Sequence, residues 1–137
     1  MIVADANTLA YVWLPSLYSE EVEALLNNER QWAAPFLWRS EFRSILAKYL
    51  KANYYSFSQI SEVMRKAEEF MSSHEYFAKS DSVLNLVNES GCSAYDCEYI
   101  AVAKELGVKL VTYDKQLIKE FPDTAMTAKQ YLASSLK

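Results

Sequence analysis

Glycine is nearly absent from this chain, two in 137 residues, and proline occurs only three times. Collagen-like, linker-rich and low-complexity chains need far more of both, so one continuously structured unit over residues 1–137 is expected. Cysteine is as scarce. Cys92 and Cys97 have no second pair, and His74 is the single histidine. That excludes a zinc-finger pattern and a secreted disulfide framework, and leaves two reduced thiols. No apolar run approaches membrane-spanning length, and Met1-Ile2-Val3 enters a strand with no basic leader. A soluble, cytoplasmic protein with no membrane contact is expected. Basic charge is not in excess either: the net charge of -4 argues against a histone-like coat, though not against nucleic acid.

What the chain does hold is a core and many rings. Hydrophobic residues make up 51% and charged ones 23%, which suits one ordinary domain rather than disorder. Ten tyrosines and three tryptophans are a heavy aromatic load, some of which should face a core or a partner.

Short apolar runs alternate with amphipathic stretches. Ile2 to Asp5, Trp32 to Ala34, Tyr76 to Ala78, Val108 to Thr112 and Thr124 to Met126 read as strands, the last at an edge. Helices are expected from Ser19 to about Asn28, Phe36 to Ala52, Ile60 to Met71, Asp81 to Ser90, Tyr95 to Leu106, Lys115 to Glu120 and Ala128 to Ser134. Ser56-Phe57-Ser58-Gln59 has the form of a capping box. Gly91 and Gly107 each follow a helix as terminators. Such alternation points to an α/β class with a mainly parallel sheet and helices on both faces.

Four acids carry the chemistry. Asp5 and Asp114 end apolar runs, where open α/β sheets gather functional groups. Asp96 opens a helical stretch, and Glu41 lies at the edge of the apolar stripe of its helix. Taken singly, three have ordinary roles: Ser93-x-x-Asp96 fits a capping box, and Asp5 and Asp114 can each cap a helix. Glu41 resists that treatment, because a carboxylate there must be paired, protonated or bound to metal. Together, clustered carboxylates repel unless a cation or shared proton relieves them. Magnesium or manganese suits all-oxygen ligands and can align a water against a phosphodiester.

The stretches Val3-Ala4-Asp5-Ala6-Asn7, Glu41-Phe42-x-x-Ile45-Leu46, Tyr95-Asp96-Cys97-x-Tyr99-Ile100-Ala101-Val102-Ala103 and Leu110-Val111-Thr112-Tyr113-Asp114-x-x-Leu117 resemble the PIN-domain ribonucleases, nearest to VapC-type toxins of toxin–antitoxin pairs. The resemblance implies a three-layer α/β/α sandwich with Asp5, Glu41, Asp96 and Asp114 converging on Mg2+ or Mn2+. It implies that Thr112 helps organise the site and that Asn7 holds a small polar position. Cys97, where alanine is common, and Tyr113, bulky beside the last acid, depart from the pattern.

The activity so implied is metal-dependent endoribonuclease cleavage of RNA phosphodiesters by an activated water. The implied partners are a small cognate antitoxin and a second copy of the chain. Trp38, Tyr49, Tyr54, Tyr55 and Phe57 are candidates for those contacts, with core packing the commoner fate of Trp38 and Tyr49. Arg39, Arg43, Lys48 and Lys51 are candidates for RNA phosphate contacts, although a solvated face is the commoner fate of such charges, above all for Lys48 and Lys51. Two rivals remain open. A catalytically silent PIN module would only bind RNA or protein. An aspartyl-phosphate phosphatase of the haloacid dehalogenase class wants a second acid where Asn7 stands.

Overall fold

The computed structural model describes residues 1–135. Its centre is a five-stranded, wholly parallel sheet. The strands are β1 (Ile2–Ala4), β2 (Trp32–Pro35), β3 (Glu75–Tyr76), β4 (Leu110–Val111) and β5 (Ala125–Met126), in the spatial order β3-β2-β1-β4-β5. β1 therefore lies in the middle, with Val3 opposite Ala33 on one side and Leu110 on the other. Both faces of the central strands are covered, so β1, β2 and β4 are continuous apolar runs rather than alternating ones.

The helices are α1 (Ala6–Ala10), α2 (Ser19–Asn28), α3 (Trp38–Lys51), α4 (Phe57–Met71), α5 (Ser80–Glu89), α6 (Ala94–Leu106), α7 (Lys115–Glu120) and α8 (Ala128–Ser135). The chain runs outward from β1 to β2 and β3, then crosses back to β4 and β5. Right-handed crossovers then put α1 to α4 on one face and α5 to α7 on the other. The reversal in strand order falls between β1 and β4, which is where α/β sheets open a crevice at their carboxyl ends. Among the described residues, no helix is long and apolar enough to cross a membrane.

Local chemistry explains most boundaries. The Ser56–Gln59 capping box forms in full, with bonds of 2.8 and 3.2 Å, and starts α4. Gly107 ends α6 with φ 69°, the left-handed turn that glycine tolerates best. Gly91 does not have a positive φ. Its use is close approach: Gln116 Nε2 donates to its carbonyl at 2.9 Å, and a Cβ there would meet that same nitrogen at 3.3 Å. Asn53 takes the left-handed conformation after α3 instead.

Several elements are shorter or shifted from the sequence reading. Helix α3 starts at Trp38 rather than Phe36, because Phe36 still donates its backbone N–H to Tyr76 of β3 at 3.1 Å. β4 spans two residues rather than Val108 to Thr112, since Val108 closes the turn after α6 by donating to Ala103 O. β3 is Glu75–Tyr76 rather than Tyr76 to Ala78, set by its pairing with Ala34 and Pro35. Pro35 itself belongs to β2. Ala34 and Phe36 donate toward β3, so the N–H that proline lacks would point toward β1, which has already ended at Ala4.

Candidate functional site

The carboxyl ends of β1 and β4 both finish in an aspartate. Asp5 follows Ala4 and caps α1, with Oδ1 accepting from Thr8 N at 3.0 Å and from Thr8 Oγ1 at 2.7 Å. Its Oδ2 accepts from the Thr112 hydroxyl. Thr112 Oγ1 in turn accepts from Asp114 N at 3.0 Å. One buried hydroxyl thus ties the two strand ends together. Asp114 caps α7, its Oδ1 accepting from Gln116 N and Leu117 N at 2.9 and 3.1 Å. The capping roles expected of these two aspartates are both realised, and they fix each carboxylate's direction.

Asp96 behaves differently. At the start of α6 the cap is Ser93, whose Oγ accepts from Asp96 N at 3.1 Å. Unlike Gln59 in α4, Asp96 does not complete the box, so its carboxylate is left for the cleft. Glu41, half-buried on α3, takes a 2.6 Å hydrogen bond from the Tyr99 hydroxyl. Tyr99 is one turn beyond Asp96 on α6, so that helix supplies both an acid and the group that orients a second acid.

All four acids line one cleft of about 480 Å3. Their electrostatics show the convergence. Burial raises the Asp5 carboxyl above its ordinary value, the Thr112 and Thr8 hydrogen bonds work against that rise, and Asp114 adds repulsion. Glu41 is raised by burial, eased by the Tyr99 hydroxyl, and pushed up further by Asp96, Asp5 and Glu98. Asp96 is raised by burial and then by the Asp114 and Asp5 charges, with Ser93 opposing. Burial, then the charge of Glu41, drives the Tyr99 phenol strongly upward, so it stays a donor.

Among the described residues, no three His, Cys, Asp or Glu side chains are already arranged to hold a metal ion directly. The donor set still fits a hard cation that keeps much of its water. Magnesium is commonly held by one or two carboxylates, with waters filling the remaining positions. An open cleft of mutually repelling carboxylates offers that arrangement and little to a soft metal.

The basic residues of α3 take different places. Arg39 faces Glu75 in a two-pronged pair, Nε to Oε2 at 2.6 Å and Nη2 to Oε1 at 2.8 Å, and also bonds Glu68. It fastens α3 to β3 and α4 and does not line the cleft. Arg43 is exposed and bonds Ser40 Oγ at 3.2 Å. Lys48 is exposed, as expected, and is also the one basic side chain among the described residues lining the cleft. Tyr99 and Thr8 were not picked out from sequence. Each lies three residues after an acid, Asp96 and Asp5, and that spacing was the available signal.

A twisted parallel sheet whose crevice gathers acids from both strand ends and two helices is the frame of a PIN domain. The family model of that description matches residues 2–123, and the chain belongs to the PIN domain family. Among curated proteins, it is 27% identical over 124 residues to Ribonuclease VapC3 of Pyrobaculum aerophilum, a match covering 88% of this chain and 95% of that one. Among solved structures, it resembles FitAcB from Neisseria gonorrhoeae with a TM-score of 0.75 at 14% identity, covering 94% of this chain and 99% of the other. PAE2754 from Pyrobaculum aerophilum gives 0.74 at 20% identity, covering 97% and 87%. A toxin–antitoxin complex from Klebsiella pneumoniae gives 0.67 at 16% identity, covering 93% and 98%.

Proposed function

We propose that the chain is a metal-dependent endoribonuclease and the toxin of a toxin–antitoxin pair. The observation that carries this reading is the single cleft lined by Asp5, Glu41, Asp96 and Asp114 at the carboxyl ends of β1 and β4. The match to the PIN domain and the likeness to a protein named as a ribonuclease support it.

Asp5, Glu41, Asp96 and Asp114 would hold Mg2+ or Mn2+, some directly and others through water. Such a cation, when bound, supplies Lewis-acid polarisation of the scissile phosphate and a more acidic attacking water. The protein's own groups do the positioning. Thr112 and Thr8 hold the Asp5 carboxylate in place, and Tyr99 does the same for Glu41. Asp96, free of capping duty, is the carboxylate best able to adjust to a cation or a proton. Lys48 offers a charge contact to the RNA backbone, with exposed Arg43 a further candidate on the same helix. Arg39 keeps its carboxylate partners.

The test is direct. Purified protein incubated with a mixed RNA pool is expected to cut it in magnesium or manganese and to stop in excess EDTA. Undiminished cleavage in EDTA would remove the metal mechanism. The rival reading is a silent PIN module that binds RNA or protein without cutting. Full inactivity on RNA, with no metal uptake by calorimetry, would establish that alternative.

A second copy of the chain and a small antitoxin are the proposed partners. The turn from α3 to α4 supports this, for Tyr54 and Phe57 are each 72% exposed there. Tyr49 and Tyr55 are half-buried behind them, while Trp38 belongs to the core. Light scattering is expected to give a dimer, and a small protein encoded beside this gene is expected to co-purify and suppress cleavage. A monomer at high concentration would count against the first, and free cleavage in the neighbour's presence against the second.

A further inference from the structure

Three tyrosines from three separate elements form one wall of the acidic cleft. Tyr11 ends α1, Tyr18 precedes α2, and Tyr113 stands one residue before Asp114 in the connection from β4 to α7. Tyr18 and Tyr113 stack with ring centroids 4.0 Å apart and planes 18° apart. Tyr11 tilts against both, at 5.6 and 5.9 Å. The Tyr113 hydroxyl donates to Glu21 Oε1 at 3.0 Å, which pins the rear ring of the stack. Tyr18, in front, is 37% exposed, so core burial does not account for it.

The cleft is poor in the usual means of holding a polyanion. Its acids repel the RNA backbone, and Lys48 is the one cation lining it among the described residues. Beyond Lys48 and a cation held by the acids, a contact that does not depend on charge would add affinity there. Stacking on an aromatic ring is such a contact, and it tolerates every base because each has a π-face. A base within a duplex presents no free face to a ring, whereas an unpaired base can be splayed onto one.

We propose that Tyr18, backed by Tyr113 and Tyr11, receives by stacking a nucleobase of the bound RNA beside the scissile phosphate, which makes Tyr18 a substrate-binding residue of this site. The inference rests on the nuclease reading above and adds to it a residue that holds a base of the substrate. It also gives a use to Tyr113, whose bulk beside Asp114 the acid chemistry alone leaves unexplained.

The experiment compares two octamers by fluorescence anisotropy, with calcium replacing magnesium. One is octaadenylate RNA, and the other is an abasic ribose-phosphate chain of the same length. The wild-type protein is expected to bind octaadenylate roughly tenfold or more tightly than the abasic chain. Tyr18→Leu is expected to bind both alike, at the weaker level, with an unchanged melting temperature. Tyr18→Phe, which stacks without a hydroxyl, is expected to keep the preference. A Tyr18→Leu protein that retains the full preference would overturn the platform. So would loss of preference in the phenylalanine variant, since a hydroxyl contact would then be responsible. Wild-type protein that cleaves RNA yet binds both octamers equally would overturn the platform and leave the nuclease reading standing. Protein that neither cleaves RNA nor binds either octamer would remove both.

Discussion

Exchanging Asp96 for asparagine is expected to lower RNA cleavage by on the order of 10²–10³-fold, the usual loss when one electrostatic group of an active site goes. The metal-free protein should be as stable as the parent or more so. Asp96 is the cleanest of the four acids to test because Ser93, not its own carboxylate, caps α6. Asp5 and Asp114 do cap helices, so alanine at either position costs about 1 kcal/mol for reasons unrelated to metal.

The pH dependence has a definite sign. Asp96 and Asp5 sit above their ordinary value of 3.8, and Glu41 above 4.5, so the folded state binds more protons than the unfolded one. In chelator, wild-type stability is therefore greatest below about pH 4 as far as these groups contribute. It falls as pH rises through their folded values. Asp96→Asn removes one such group and relieves its neighbours, so the decline should flatten. Magnesium should raise the wild-type melting temperature near neutral pH and have much less effect on the variant. Thermal melts across pH, with and without magnesium, read all of this. An apo variant melting several degrees below the parent would instead make Asp96 structural.

The largest loss of stability is expected at Trp38. Its ring is fully buried, lies edge-on to Phe42 at 5.6 Å, and donates Nε1 to Glu75 Oε2 at 2.8 Å. Trp38→Ala should cost about 3–5 kcal/mol from the cavity and lost packing. That is a large fraction of a typical domain's total stability. Trp38→Phe keeps most of the packing, and Arg39 still pairs with Glu75, so about 1–2 kcal/mol is expected. Urea denaturation separates the two. Equal midpoints for both variants would show that the Glu75 hydrogen bond, not the ring volume, carries the effect. Because Glu41 lies one turn further along α3, activity should follow the folded fraction.

The site's framework was readable because its signals are local. An aspartate closing an apolar run announces a strand end, and Glu41 in an apolar stripe announces a demand for partners. The parallel order followed from short strands separated by helices. What escaped was set by distant contacts. Glu75 claims Arg39 from 36 positions away, and nothing around Arg39 in the chain reveals it. Lys48 is exposed, as its helical position suggested, but its place beside the acids was not readable. Only the approach of β1 and α6 turns its face of the helix into a wall. Strand lengths were overread at β4 because an apolar residue such as Val108 can serve a helix-ending turn as readily as a ladder. Gly91 looked like a left-handed terminator, but its smallness is used for contact with α7.

The pairing of Val3 with Leu110 and the hydroxyl link from Thr112 to Asp5 join chain segments more than a hundred residues apart. A ribosome makes the first of these segments long before the last. Until Asp114 has left the exit tunnel, Asp5 has neither the threonine that steers it nor the opposite wall of the cleft. The growing polypeptide therefore lacks the complete site while any of these later residues is still inside the ribosome. The order of synthesis thus withholds the cleft until both strand ends stand outside the ribosome together.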